Sequence, residues 1–309
     1  MARASAKVIL FGEHAVVHGR VAVAAALDRG ARASASFDAP RSVLELSPWG
    51  RTSYADDADD EVGRAFAAVL EVSGVRRPAH VTAGIDVPGG AGLGGSAALG
   101  VAVVRALADA AAEALDDDET ARRAMAWERV FHGNPSGVDV AVATRGGVLA
   151  FKKGEPPRPL HPPCEVSIAV AFTGECSSTK SMVEHVARQL ERRPAVVERS
   201  LDGIDVLAKK GAAAIEAGMW HEVGQLMDLN HALLAALMLS TEKLEHACAL
   251  ARQAGAAGAK LTGAGGGGCA IALAPSGAGP VLEAWRAVGF ECFEARIGPR
   301  VRIFDGSGR

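Results

Sequence analysis

The stretch Gly90-Ala91-Gly92-Leu93-Gly94-Gly95-Ser96-Ala97-Ala98 decides how this chain is read. Residues 81–87 form an extended-looking segment that leads into it, and an alanine-, valine- and leucine-rich helical pattern follows from Ala97. Glycines bring backbone close to an anion and take up positive φ without a Cβ clash. The start of the helix adds unpaired N–H groups and a positive dipole end. The stretch therefore predicts a loop that wraps phosphates, and a protein that handles a nucleotide.

The rest of the chain narrows the class. Its 309 residues are enough for a large core and two domains. The balance of 49% hydrophobic and 22% charged residues is that of an ordinary globular protein. Thirty-six glycines and a single tyrosine predict an Ala/Val/Leu core with many tight turns. A formal charge of −3 without a basic tract argues against nucleic acid as a partner. The five cysteines are scattered, with no CxxC pair, so neither a disulfide framework nor a zinc site is indicated. No run approaches the ~20 apolar residues of a membrane span. Charges near Lys7 and Glu13 interrupt what a signal peptide would need, and a cytoplasmic protein without membrane partners is expected.

Apolar periodicity predicts strands at 8–11, 21–27, 31–37, 148–151, 166–172, 269–273 and 290–297. It predicts helices at 61–72, 97–115, 120–131, 179–191, 196–218, 221–239 and 241–255, and leaves 138–143 open between helix and strand. The acidic run Asp56–Glu61 suits a solvated loop and a helix N-terminus. The proline-rich segment 153–163 is the boundary candidate, giving domains 1–163 and 164–309. Strands followed by helices in each half, without regular βαβ alternation, indicate two α+β lobes.

Four segments carry chemistry. Lys7 with Phe11-Gly12-Glu13-His14-Ala15-Val16-Val17 concentrates charge at a glycine turn, though an exposed strand end and a turn histidine fit the same letters. The loop itself matches Gly90-x-Gly92-x-x-Gly95, a dinucleotide fingerprint. That fingerprint also requires a second strand ending in an acidic residue, and Asp109 and Glu113 fall inside the predicted helix instead. No Gly-Lys-Ser/Thr follows, which excludes a Walker A loop. Ser96 lies in the first turn of the helix and suits Mg²⁺ or a phosphate.

In the third segment, Glu128 through His132-Gly133-Asn134-Pro135-Ser136-Gly137-Val138-Asp139, a tight turn can bring Asp139 back towards Glu128. One carboxylate suits Mg²⁺ and the other a hydroxyl nucleophile. A solvated Glu and a turn-capping Asp suit the spacing equally. The fourth, Lys260-Leu261-Thr262-Gly263-Ala264-Gly265-Gly266-Gly267-Gly268, makes sense where backbone packs on backbone or on a ligand.

Taken together, these segments resemble the GHMP kinase superfamily (galactokinase, homoserine kinase, mevalonate kinase and phosphomevalonate kinase) over nearly the whole chain. Lys7 with Gly12-Glu13-His14-Ala15-Val16-Val17, and the Asn134-Pro135-Ser136-Gly137-Val138-Asp139 wording, are most similar to the mevalonate kinase branch. In one departure, Gly95 stands where that loop usually has a serine. The resemblance implies a two-lobed fold with the site in the cleft, and ATP-dependent phosphorylation of the C5 hydroxyl of (R)-mevalonate. It implies Asp139 and Lys7 as catalytic residues, and Gly90, Ala91, Gly92, Leu93, Gly94, Gly95, Ser96 and Ala97 around the ATP phosphates. It implies Mg²⁺ on Ser96 and Glu128, and substrate-side positions at Glu13, His14 and Thr179. Gly263, Gly265, Gly266 and Gly267 would form a structural loop packed on the first. Lys152 or Lys153 is the candidate cation for the substrate carboxylate, and a homodimer is allowed. The competing readings are another GHMP kinase with a phosphomevalonate or sugar acceptor, and a dinucleotide-binding oxidoreductase.

Overall fold

The computed structural model describes residues 1–47, 50–133, 135–176 and 178–299. Asn134, in the turn before Asp139, lies outside the described residues.

Two sheets divide the chain between them. The first half builds β1 (Ala2–Phe11), β2 (Ala22–Ser36), β3 (Val43–Ser47), β4 (Arg51–Tyr54), β5 (His80–Ile85), β6 (Val148–Phe151) and β7 (Arg158–Leu160). These form one seven-stranded sheet, ordered β4-β3-β5-β2-β6-β7 with β1 also paired to β2. The second half builds β8 (Val166–Phe172), β9 (Gly258–Thr262), β10 (Cys269–Leu273) and β11 (Glu291–Ile297), an antiparallel sheet ordered β11-β8-β10-β9.

Helices α1 (Glu61–Val72), α2 (Gly95–Ala110), α3 (Asp117–His132) and α4 (Val138–Arg145) share a core with the first sheet. Helices α5 (Thr179–Arg192), α6 (Pro194–Glu216), α7 (Trp220–Ala236), α8 (Glu242–Gln253) and α9 (Gly279–Ala287) belong to the second half. A further cluster joins Val8 and Leu10 of β1 to Ile168 and Val170 of β8, Ile271 of β10 and Met227 of α7. The two α+β lobes therefore meet across a shared apolar interior. Among the described residues no helix is long and apolar enough to cross a membrane.

Several elements differ from the sequence expectation. Segments 21–27 and 31–37 are one fifteen-residue strand, β2. Its polar middle, Asp28-Arg29-Gly30, is where its partner changes from β6 to β5. α2 stops at Ala110, and Ala112 takes a φ of 52°. The acidic turn that seemed to close α2 opens α3 instead, because the Asp116 carboxylate accepts the Glu119 N–H. The open segment at 138–143 is helical.

Candidate active site

Lys7 is the pivot of the site. A register shift in the β1–β2 pairing falls between Ser5 and Lys7, and such a bulge re-aims a side chain. The Lys7 N–H bonds Leu93 O at 2.9 Å, inside the glycine loop. Its ammonium donates to Gly92 O at 3.0 Å and lies 3.3 Å from Asp139 Oδ1. A Cβ at Gly94 would stand 2.7 Å from Lys7 Cγ, so a residue without a side chain is what lets the lysine stem pass. Gly94 is also the left-handed residue at the N-terminus of α2, and no side chain caps that helix. Its first-turn N–H groups are therefore directed at whatever the loop surrounds.

The second glycine run packs on the first. A Cβ at Gly263 would meet Gly92 Cα at 2.9 Å, while Gly266 N–H bonds Leu239 O at 2.7 Å. Gly265 and Gly267, both at positive φ, face Leu239 and Glu175 in the same way. The missing loop serine has a physical counterpart, since a Cβ at Gly95 would lie 2.8 Å from Ile85 Cδ1. Ile85 occupies the space a serine side chain would need.

These segments line two cavities. One of about 280 Å³ is lined by Gly89 to Ser96 and by Leu46, Arg51, Ile85, Leu99, Trp127 and Phe131. It joins the phosphate loop to an apolar wall suited to a base. The other, about 110 Å³, lies between the lobes, with Lys7, Glu128, Asp139 and Ser136 on one side and Thr179, Val183, Gly263 and Ala264 on the other. Ala97 is buried in the first turn of α2. A larger cavity of about 430 Å³, between the start of β1 and the α2–α3 turn, contains none of the four segments.

Ser96 and Glu128 meet where the cavities adjoin. The serine hydroxyl donates to Glu128 Oε1 at 2.6 Å, and His132 Nε2 stands 3.7 Å from Glu128 Oε2. Burial pushes the Glu128 carboxyl above the usual carboxylate range against the pull of the Ser96 hydroxyl, and nearby Asp139 adds to the push. Among the described residues, no three His, Cys, Asp or Glu side chains gather as a metal cage. Two hard oxygen donors, one a carboxylate lacking a full counter-charge, suit a cation that takes its other ligands from phosphates and water.

Glu13 lines the cavity between the lobes, the candidate acceptor cavity, but its carboxylate is engaged. Lys260 bonds Oε1, Asn230 Nδ2 donates to Oε2 at 3.2 Å, and both side chains of the Lys260–Glu13 pair are inaccessible. Burial lowers the Lys260 ammonium, and Glu13 opposes that shift. The pair ties the β1 turn to β9. The sequence marked Glu13 but gave no signal for Lys260 or Asn230 as its partners.

His14 holds a φ of 59°, unusual for a side chain of its size, and its Nε2 bonds Ala264 O at 2.8 Å. A carbonyl only accepts, so Nε2 carries the proton and Nδ1 is the ring's acceptor. Burial lowers this imidazole from 6.5 to about 4, with the Ala264 bond opposing the shift, so the ring is neutral near pH 7. The unfolded chain therefore binds a proton that the folded chain refuses. The contribution is fully present above pH 6.5 and is lost as pH falls towards about 4. Its size is up to about 3 kcal/mol. His14→Asn, whose side chain tolerates positive φ, is expected to flatten this part of the stability profile in urea denaturation between about pH 7.5 and pH 5. An unchanged pH slope contradicts it.

Thr179 opens α5 and lines the acceptor cavity. Lys153 does not line it. β6 returns the chain to the level of Gly137, where a Cβ would meet the Phe151 ring at 3.6 Å. The turn after β6 then carries both lysines outward, with Lys152 pairing to Glu155 at 2.6 Å.

These features define a nucleotide-dependent phosphotransferase, and the chain belongs to the GHMP kinase family. The model of the GHMP kinase N-terminal domain matches residues 60–147, and that of the C-terminal domain matches residues 212–290. Mevalonate kinase of Pyrococcus abyssi is 38% identical over 298 residues, covering 89% of this chain and 88% of that one. Mevalonate kinase of Thermococcus sibiricus is 35% identical over 312 residues, covering 94% and 93%. The crystal structure of L. major mevalonate kinase in complex with R-mevalonate superposes with a TM-score of 0.85 at 28% identity, covering 96% of this chain and 95% of that one. ATP is the co-substrate that the family implies. The dinucleotide reading falls away, since α2 leads into α3 and α4 rather than into a second strand.

Proposed function

We propose that the chain phosphorylates the C5 hydroxyl of (R)-mevalonate with ATP, giving 5-phosphomevalonate in the mevalonate pathway of isoprenoid biosynthesis. The observation that carries this reading is the 3.3 Å Lys7–Asp139 pair, which lines the acceptor cavity while Lys7 bonds Gly92 O and Leu93 O of the loop that lines the other. The relatives named mevalonate kinase support the choice of acceptor.

The glycine loop and the α2 N-terminus hold the phosphates through backbone N–H groups. Lys7 keeps one Asp139 oxygen in place, and the other Asp139 oxygen orients the acceptor hydroxyl and takes its proton. The lysine cation also offsets charge developing at the transferring group. Phosphoryl transfer asks a protein mainly for such positioning and electrostatics. Mg²⁺, held by Ser96 and Glu128, would neutralise phosphate charge when bound. On this reading residues 1–163 carry the phosphate loop and the catalytic pair, and residues 164–309 carry the second glycine run.

The walls of the acceptor cavity distinguish between acceptors. Ile9, Val16, Val17, Val140 and Val183 suit the methyl and methylene groups of mevalonate. A sugar would bury hydroxyls against them at a cost of about 1–3 kcal/mol each. Lys7 is committed to Asp139 and Gly92, and His14 is neutral, which leaves little to hold a second phosphate. The test is ADP release with MgATP across mevalonate, phosphomevalonate, galactose and homoserine. Turnover with mevalonate is expected, and turnover only with another acceptor overturns the choice.

Ser96→Ala is expected to raise the Mg²⁺ needed for half-maximal rate about tenfold or more, by the scale seen when a metal site loses a supporting group. The variant should still unfold cooperatively in urea. An unchanged Mg²⁺ requirement removes Ser96 from the metal site.

A further inference from the structure

The indole of Trp127 is buried beside the glycine-loop cavity, and its role follows from hydrogen-bond bookkeeping at Ser96. Trp127 Nε1 lies 3.1 Å from Ser96 Oγ, and an indole N–H can only donate. Ser96 Oγ donates its proton to Glu128 Oε1 at 2.6 Å. The serine proton is therefore spent on Glu128, and one of the two hydroxyl lone pairs is spent on Trp127. A single lone pair remains, so Ser96 can act as a ligand to a cation but has no proton to offer a phosphate oxygen.

The indole itself has little freedom. It packs on α2, where a Cβ at Gly100 would stand 2.8 Å from Trp127 Cγ, and its ring centroid lies 5.6 Å from that of Phe131. Trp127 lines the glycine-loop cavity, while the next residue, Glu128, lines the acceptor cavity. One turn of α3 thus sets both partners of the Ser96 hydroxyl.

We infer that Trp127 is a positioning residue for phosphoryl transfer: its indole N–H locks the Ser96 hydroxyl so that the remaining lone pair faces a divalent cation on the nucleotide phosphates. The inference rests on the kinase reading of the site. Replacing the indole with a phenyl ring removes the N–H while keeping an aromatic ring in the packing. The Glu128 bond is then left to hold the hydroxyl, and the lone pair that Trp127 fixed is released.

The test compares Trp127→Phe, Ser96→Ala and the double variant by calorimetric titration of Mg²⁺ and ADP, which requires no acceptor and no turnover. Trp127→Phe is expected to weaken Mg²⁺-dependent ADP binding about tenfold, the scale for losing a group that orients a metal ligand. The double variant should bind no more weakly than Ser96→Ala alone, because Trp127 acts through that hydroxyl. In steady state, KM for the acceptor should move less than about twofold, the change remaining with Mg²⁺ and the nucleotide. Independent losses that multiply in the double variant overturn the inference and leave Trp127 a packing residue. In metal-free protein that retains Trp127, the indole ¹⁵N–¹H resonance should shift in Ser96→Ala, and an unmoved resonance also overturns it. Failure of the wild type to phosphorylate mevalonate would strike at the proposed function instead, since none of the binding measurements uses that acceptor.

Discussion

Asp139→Ala is expected to lower kcat by at least about a hundredfold, the scale for losing a group that handles a proton at the reacting hydroxyl. Asp139 sits in the first turn of α4 after the left-handed Gly137, a third exposed and facing the acceptor cavity, so its removal should leave the fold intact. MgATP binding should be nearly unchanged, because the proposed phosphate site is the glycine loop rather than Asp139. Lys7→Met keeps most of the stem volume but removes the cation, and a loss of about a hundredfold or more is expected. The two effects should not multiply in the double variant, since each residue holds the other in place. Near-normal turnover in either single variant contradicts the role assigned to that residue.

Lys260→Met is expected to cost about 3–5 kcal/mol of stability, the range for breaking a buried ion pair from one side. Glu13 would be left with only Asn230 as a side-chain partner, inside a site that admits no water to either side chain of the pair. The penalty comes from the stranded carboxylate rather than from any large net value of the pair. Adding Glu13→Gln to Lys260→Met should therefore recover part of the loss. Urea denaturation measures both, and a single-variant loss below about 1 kcal/mol contradicts the account. The same pair fixes the turn that carries His14, so weaker acceptor binding should accompany the loss of stability.

The parts of the fold that were legible in the sequence are those whose local pattern matched their final environment. β10 is an uninterrupted apolar run buried throughout, β8 is nearly so with only Ser167 breaking it, and their bounds follow from the letters. β9 escaped because a fully buried lysine breaks its apolar run, and that lysine makes sense only once Glu13 is brought against it from the other lobe. β3 and β4 are short and partly exposed, so little patterning marks them. At the candidate site, spacing alone left Lys7, Glu128 and Asp139 open to bland readings, and it was the family resemblance that singled them out together with Ser96. Trp127 was not legible as a partner of Ser96, because that contact depends on α3 crossing α2 at Gly100. Lys153 does not line the acceptor cavity for a related reason: nearness along the chain to Asp139 does not reveal which way the turn after β6 points.

On the proposed function, Lys7 and Asp139 direct the γ-phosphoryl group of ATP onto the primary hydroxyl of mevalonate. The most direct measurement is a rapid-quench single turnover with γ-labelled ATP, enzyme in excess and mevalonate present. The account predicts that the label appears on the C5 oxygen of mevalonate in one step with the wild type, and at least about a hundredfold more slowly with Asp139→Ala. Label passing to water or to the protein first, or reaching mevalonate at the wild-type rate in Asp139→Ala, would contradict it.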